Sequence, residues 1–436
     1  MMLTLKPNFQ NERVMKEIFL LLFIAFLVLM GTHSTIFSLV AFAVGCCVII
    51  LGNQFQSLEM ILFLAPMATI FKASPDSFAF LTYLELFYVL LYLVRQRFKI
   101  GHTEGVVILF GVYLLIIQIF NGDIDFNVTL KMIAALFMLS IATKLNVEGE
   151  VKRLFIVFIL GVIISSLFAN IDNSFFPIKQ FVGMKGYGTG YGGYIVRFSG
   201  LYRDPNYYSV NIIIALCAII LLYKSRKLSS YIAIIFATLL IAFAVETVSK
   251  SAIIMLALPA VMLLYVMFKE RRYGLFFVGV IAIACIIMLA FSNRIPALDN
   301  IMRRFMSMDA NLDSLTTHRS TLWMSYLSYL SDNISEVIFG RSLMNYTLNG
   351  AAPHNTYIDL IYQLGLVGTT FLLMIVKRIF GMRGTYKERS ILNYSILSCI
   401  VIMYFFLSEL QYYDLPFHLI LCYFALNFNI KNIKEN

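Results

Sequence analysis

Charge is scarce in this chain. Only 13% of its 436 residues are Asp, Glu, Lys or Arg, about half the ~25% of an average soluble domain, which excludes an ordinary water-soluble fold. Cysteine outside apolar surroundings is missing as well. All six (Cys46, Cys47, Cys217, Cys285, Cys399 and Cys422) fall inside apolar runs, which excludes a disulfide framework and a thiolate metal site and marks them as packing residues. No His or Cys cluster has metal-ligand spacing, so the expectation is no metal and no cofactor.

What fills the chain is apolar: 60% hydrophobic residues and a mean hydropathy of +0.83. Runs of about 18 or more apolar residues recur along nearly the whole length with short polar breaks between them, the pattern of transmembrane helices. Spans are expected to begin near residues 17, 35, 57, 77, 105, 128, 153, 206, 229, 251, 274, 356, 391 and 413. The expected fold is therefore all-α, a polytopic transmembrane helix bundle of about 14 spans (12–14) in one integral membrane domain over residues 1–436. The first run, Ile18 to Met30, follows a basic flank as a signal peptide does. The next run begins a few residues later with no clear small-residue cleavage site between, so the first reads as a span.

The net charge of +10 would suit nucleic acid, but the basic residues cluster in the breaks between spans. With a cytoplasmic N-terminus, the inward loops are "RQRFK" from Arg95, "KLNVEGEVKR" from Lys144, "KSRK" from Lys224, "KERR" from Lys269, "KRIFGMRGTYKER" from Lys377 and the tail "KNIKEN". Each is basic, as the positive-inside rule requires. Both termini are then cytoplasmic, in a multi-pass protein of the cytoplasmic membrane, and no nucleic-acid partner is implied.

The outer side receives two long loops, 171–205 and 293–355, and short turns such as "NGDIDFN" and "ETVSK". On that side basic residues are usually scarce, yet it holds Arg197, Arg203, Lys250, Arg303, Arg304, Arg319 and Arg341. Topology does not explain this set, which calls for a ligand or a structural partner. The first loop ends in "RFSGLYRDPNYYS", where Asp204 and Pro205 open a span. The stretch reads equally as a capped helix with a surface Arg203–Asp204 pair and as a ligand site. Lys250 lies between Thr247, Ser249 and Ser251 and, taken alone, is a snorkelling interfacial lysine.

In "THRSTLWMSYLSYL", Trp323, Tyr326, Leu327 and Leu330 follow helical spacing and are expected on the membrane surface, with the only tryptophan as an interfacial anchor. Arg319, one turn before Trp323, either snorkels or meets an anion. In "AAPHNTYIDLIYQLGLVGTTFLL", His354 follows Pro353, and Asn355, Asp359 and Tyr362 or Gln363 form a polar stripe at helical spacing. Such a stripe faces the bundle interior, as a hydrogen-bond seam or as part of a site. Gly365 and Gly368 suit close helix contact. Together these motifs gather cations, one imidazole and the carboxylates Asp204 and Asp359 at one face. Arginine clamps phosphate bidentately and histidine exchanges a proton near neutral pH, a constellation suited to group transfer on an anionic lipid head group.

The combination of "GLYRDPN", "TVSKSA", "HRSTLW" and "HNTYIDLIYQLGLVG" over residues 190–370 resembles the O-antigen ligase and polymerase superfamily, integral membrane glycosyltransferases of the GT-C type. The resemblance implies a polyprenyl-diphosphate-linked oligosaccharide donor, transfer at the outer face without a nucleotide sugar, and a flippase and a chain-length regulator as partners beside the membrane lipid. It gives diphosphate binding to Arg203 and Arg319 with Arg197 nearby, puts Lys250 where family members often carry arginine, and makes His354 the base on the acceptor hydroxyl or a group that positions the reactants; Asp359, five residues on, is the candidate to orient its imidazole. Attack opposite the leaving lipid would invert the anomeric centre. The expected activity is polysaccharide polymerisation; transfer of finished glycan to another acceptor, as in a ligase, is the alternative within the family. A lipid-linked oligosaccharide flippase is the alternative outside it, disfavoured because no internal repeat with deep cations is visible.

Three further features are set aside. "GTGYGG", Gly188 to Gly193, has no strand before it and reads as a loop. "DID", Asp123 to Asp125, is a turn, and Glu409 and Asp414 solvate helix ends. Glu85 and Lys131, in different spans, are a candidate buried pair.

Overall fold

In lipid the backbone must satisfy its own hydrogen bonds, and a helix does so within one segment. The apolar runs are accordingly helical in the computed structural model, which describes residues 9–122, 124–145, 150–182, 197–269, 319–381, 390–407 and 415–428. In chain order the helices are α1 Phe9–Gly31, α2 Thr35–Leu51, α3 Gln54–Leu64, α4 Phe80–Arg95, α5 His102–Asn121, α6 Phe126–Lys144, α7 Val151–Ala169, α8 Ile178–Val182, α9 Pro205–Lys224, α10 Ser230–Glu246, α11 Lys250–Lys269, α12 Arg319–Asp332, α13 Ile334–Phe339, α14 Thr356–Asp359, α15 Gly365–Gly381, α16 Ser395–Tyr404 and α17 Leu415–Leu426. Among the described residues there is no strand, only two isolated bridges, Lys72 with Ala79 and Leu348 with Ala351.

Among the described residues, six segments are long and apolar enough to cross a membrane: α5, α6, α7, α9, α11 and Thr356–Gly381. The chain is a helical multi-pass membrane protein. Other apolar runs form shorter helices; α3 has 11 residues and α4 has 16. The span expected from 274 lies outside the described residues, as do Cys285, Arg303, Arg304, the "GTGYGG" loop, Asp123, Glu409 and Asp414.

α9 is the axis of the bundle. It is apolar on all sides, the pattern of a helix with no exposed face, and only Asn206, Tyr223 and Lys224 of it escape burial. α7, α10, α11 and α16 pack around it. Large apolar side chains on the rim stay exposed, Phe120 at 86% and Tyr231 at 83%, a belt that lipid rather than water would cover.

Two polar ties give the bundle its polarity. Near the end of α7 the Ser166 and Tyr208 hydroxyls hydrogen-bond to each other, so the C-terminal end of α7 lies beside the N-terminal end of α9. At the start of α7, Arg153 pairs with Glu59 at 2.7 Å and with Glu17. At 1.5 Å per helical residue these ends are about 20 Å apart.

The polar stripe after His354 faces inward: Asn355, Asp359, Tyr362 and Gln363 are all at most 3% exposed. The segment that carries it is not one straight helix. Between α14 and α15 the chain makes a π turn, Leu360–Leu364, and breaks at Gly365, with φ 64° and ψ −178°. The freed carbonyls find donors in the α13 connection. Arg341 N donates to Tyr362 O at 2.9 Å and Ser342 N to Gln363 O at 3.0 Å. The Tyr113 hydroxyl of α5 lies 2.7 Å from Leu364 O and 2.8 Å from Phe339 O. This lets Gly340, at φ 76°, lie directly on Gly365: a Cβ on Gly365 would sit 2.4 Å from Gly340 N.

Gly340→Ala and Gly365→Ala should each destabilise the protein by about 1–3 kcal/mol through backbone strain alone, with the steric clash adding to it. Thermal unfolding of the purified protein in detergent checks this. Gly105→Ala, in the first turn of α5 with nothing within 4 Å of the added carbon, should leave the transition temperature unchanged or raise it.

Candidate functional site

The end of the bundle that carries Tyr208 also gathers the segments before α9, between α10 and α11, before α14 and after α16, with the start of α12. Asp204 opens α9: its Oδ1 accepts from Asn206 N at 2.7 Å, and Pro205 takes the first helical position, where its missing N–H costs nothing. Arg197 fastens this start to the next turn. Its Nε donates to Thr247 O at 3.1 Å and its Nη2 to Asn206 Oδ1 at 3.4 Å. The same Asn206 oxygen accepts from Ser249 at 2.6 Å and Ser251 at 3.3 Å. Within the turn, buried Val248 holds φ 46°, a left-handed geometry that a β-branched residue adopts only when its surroundings impose it. Half-buried Lys250 follows as the first residue of α11.

His354 sits in a seat pinned on both sides. Before it, Pro353 O accepts from Trp323 Nε1 at 2.8 Å, and Trp323 stands edge-on to Phe405 with ring centroids 5.1 Å apart. After it, Asn355 caps α14, its Oδ1 accepting from Tyr357 N at 3.0 Å and Ile358 N at 3.2 Å. Thr356 Oγ1 donates to Leu407 O at 2.5 Å. His354 itself has φ 48°, a conformation uncommon outside glycine.

Burial pulls the His354 pKa below the ordinary imidazole range, the Arg319 charge pulls it the same way, and the Asp204 charge opposes them. The ring is therefore neutral at neutral pH, with a nitrogen lone pair available to a proton. Arg319 is aimed by Phe406 O, which accepts from its Nη1 at 2.8 Å. His354, Arg319 and Asp204, which lie far apart in the chain, thus come together.

Other candidates are employed differently. The Asn355 side chain is taken up by the helix cap. Asp359 is buried and accepts from Gln363 at 3.0 Å, and its charge acts on Tyr326 and Tyr362. The Asp204 charge acts on the imidazole, while Asp359 lies at the end of α14 with its side chain buried in the bundle. Arg203 is exposed, one residue before Asp204, and its charge acts on Lys72.

The α12 face is also corrected. Tyr326 and Leu330 are buried, at 0% and 6% exposure, against the chain itself rather than on a membrane surface. The Tyr326 ring stands 4.8 Å from that of Tyr362, and its hydroxyl donates to Ala351 O at 2.6 Å and accepts from Leu348 N at 2.8 Å. Leu327 stays exposed at 51%. Trp323 anchors the histidine loop instead of an interface.

Sequence reasoning passed over Lys72 and set Lys131 aside as half of a pair with Glu85. Glu85 is buried on α4, which packs on α6, while Lys131 Nζ lies 5.5 Å from the centre of the Phe78 ring. The signal for Lys72 was present: residues 65–79 connect two runs on the side where basic residues are rare. Among the described residues, no group of three or more His, Cys, Asp or Glu is placed to hold a metal ion.

Compared with family models, with curated proteins and with solved structures, the chain matches none of them.

Tyr326→Phe removes a hydroxyl that ties the loop before His354 in place. Losing a buried hydrogen-bond partner costs about 1–3 kcal/mol. Hydrogen exchange should accelerate about tenfold or more in residues 344–351 while α9 amides keep their protection; a uniform acceleration would mean that the hydroxyl supports the whole bundle instead.

Proposed function

We propose that the protein is a polysaccharide polymerase that transfers glycan from a polyprenyl-diphosphate-linked donor to a lipid-linked repeat-unit acceptor at the outer face of the cytoplasmic membrane. The observation that carries this reading is the seat of His354, a left-handed turn at φ 48° capped by Asn355, where the charges of Arg319 and Asp204 act on the imidazole. An acceptor hydroxyl gives its proton to His354 as its oxygen attacks the anomeric carbon. The bond from that carbon to the diphosphate oxygen breaks, the anomeric centre inverts, and the lipid diphosphate leaves. Arg203 and Arg319 take up its growing negative charge as fixed cations that need no reorganisation, while Arg197 and Lys250 shape the floor through the α9 and α11 starts. In this reading the fold is GT-C-like, both termini are cytoplasmic, and a flippase supplies the substrate with a chain-length regulator acting on the product.

The direct test is chain extension by purified protein given its host's polyprenyl-diphosphate-linked repeat unit and no nucleotide sugar. A ladder of longer glycans is expected. His354→Ala should lower its rate about 10²–10⁴-fold, and Arg203→Ala should weaken it too. Movement of the intact lipid-linked unit across a reconstituted bilayer, with no ladder, would make the protein a transporter.

The pH dependence has a fixed sign. A base whose pKa lies below the ordinary histidine range gives an acidic limb that lies correspondingly low. Arg319→Gln removes a charge that depresses the imidazole pKa and should move the limb to higher pH. Asp204→Asn keeps the helix cap but removes the charge that raises the pKa, and should move the limb to lower pH. Rate profiles of the two variants that shift together would rule out His354 as the titrating group.

A further inference from the structure

The end of the bundle opposite the site holds a charge arrangement that glycosyl transfer does not use. Two carboxylates there share one guanidinium. Arg153, near the start of α7, meets Glu59 Oε2 of α3 at 2.7 Å and Glu17 Oε2 of α1 through the same nitrogen, Nη2. Its guanidinium carbon lies 5.6 Å from the centre of the Phe55 ring.

The two carboxylates are not equally served. Glu17 is 20% exposed, and its second oxygen accepts from Gln56 Nε2 at 2.6 Å. The Glu59 side chain is only 5% exposed, and its Oε1 is buried without a hydrogen-bond partner among the described residues. A buried carboxylate oxygen with no donor is costly, and a second carboxylate on the same cation adds like-charge repulsion. A proton on Glu59 removes both costs. A proton on Glu17 would neutralise the group that solvent and Gln56 already support, so Glu59 is the one that takes it.

The surrounding charges agree with that choice. Of the helices packed on α3, α1 brings Lys16 and Glu17, α7 brings Lys152 and Arg153 with exposed Glu150 just ahead of it, and α2 brings no charge. α4 brings buried Glu85 and Arg95, whose Nη2 donates to Ile50 O at 2.7 Å. Burial pushes the Glu59 carboxyl up to about 7; the Arg153 charge opposes the rise, and the Glu17 and Glu150 charges add to it.

We propose that Glu59 is a proton-binding site and that release of its proton loosens α1 from α3 and α7, a pH-operated clasp at the end of the bundle opposite the site. With the proton on, Arg153 is left to Glu17 and ties α1 to α7. With it off, two carboxylates compete for one guanidinium, and Glu17, the more exposed, is the one that can leave for water. The clasp does not depend on the glycosyl-transfer reading.

Linkage gives the sign of the effect. A carboxyl whose titration is raised by folding stabilises the folded chain fully below the ordinary glutamate range, and that contribution is lost as pH rises through about 7. The test is thermal unfolding of the full-length protein in detergent at about pH 5.5 and about pH 8.5. Glu59→Gln, which keeps the shape of the neutral acid, should match the unaltered protein at the lower pH and exceed its transition temperature at the higher. A Glu59→Gln variant that melts below the unaltered protein at the higher pH would overturn the clasp, because the ionised carboxylate would then be the stabilising form. Equal transition temperatures at both would overturn it as well. Glu17→Gln gives a second, separate check: it leaves Arg153 to Glu59 alone and should move the fall in transition temperature to lower pH, whereas an unmoved fall would overturn the sharing. Hydrogen exchange in residues 15–20 of α1, corrected for its intrinsic pH dependence, should accelerate over the same pH range while α9 amides keep their protection; uniform acceleration, or none, would overturn the loosening of α1.

Discussion

A carbonyl group freed within a bilayer must find a donor, and the break at Gly365 sets that demand at the heart of this protein. An uninterrupted helix would satisfy Tyr362, Gln363 and Leu364 internally. The π turn gives that up, and the backbone of Arg341 and Ser342 with the Tyr113 hydroxyl answers instead. α5, the α13 connection and α15 are thereby locked to one another. The loop that leaves this clasp, braced by Tyr326 on Leu348 and Ala351, ends at Pro353 and His354. The position of the imidazole therefore follows from a broken helix, as irregular backbone at membrane depth is tolerated only where protein or a cavity surrounds it.

The described cations are tied in two ways. Opposite the site, Arg153 pairs with Glu59 and Glu17, and Lys144 with Glu104. At the site end, Arg341 leans on Glu336 at 3.7 Å and Lys179 on Asp172 at 3.2 Å, while Arg197, Arg319 and Lys72 donate to carbonyl oxygens and an amide. A neutral acceptor fixes the direction of a cation without adding an opposite charge.

Periodicity made much of this legible. The inward stripe of Asn355, Asp359, Tyr362 and Gln363 could be read from spacing, as could Asp204 and Pro205 as the start of a helix. The π turn could not, since nothing in "LIYQL" distinguishes five residues of π from α geometry; Gly365 hinted at close contact, not at positive φ. The role of α12 was misread for a related reason. An amphipathic face says that something apolar covers it, and only the fold reveals that the cover is Tyr362. The action of the Asp204 charge on the imidazole was invisible because the two lie far apart in the chain. Apolar run length foretold helices but not their lengths, since a run of apolar residues does not fix where the helix within it ends.

The charges around His354 also link its proton to substrate occupancy. Burial and Arg319 outweigh Asp204 and lower the ring's proton affinity. Under the proposed function, a diphosphate arriving at Arg203 and Arg319 neutralises the charge that depresses the imidazole and leaves Asp204 less opposed. The ring's proton affinity then rises when an acceptor hydroxyl is to be deprotonated, so the base strengthens with the donor in place. Linkage makes the effect reciprocal: whatever favours a proton on His354 also favours the diphosphate. The cations beside the imidazole thus hold the leaving group and, by being neutralised, tune the base that attacks against it.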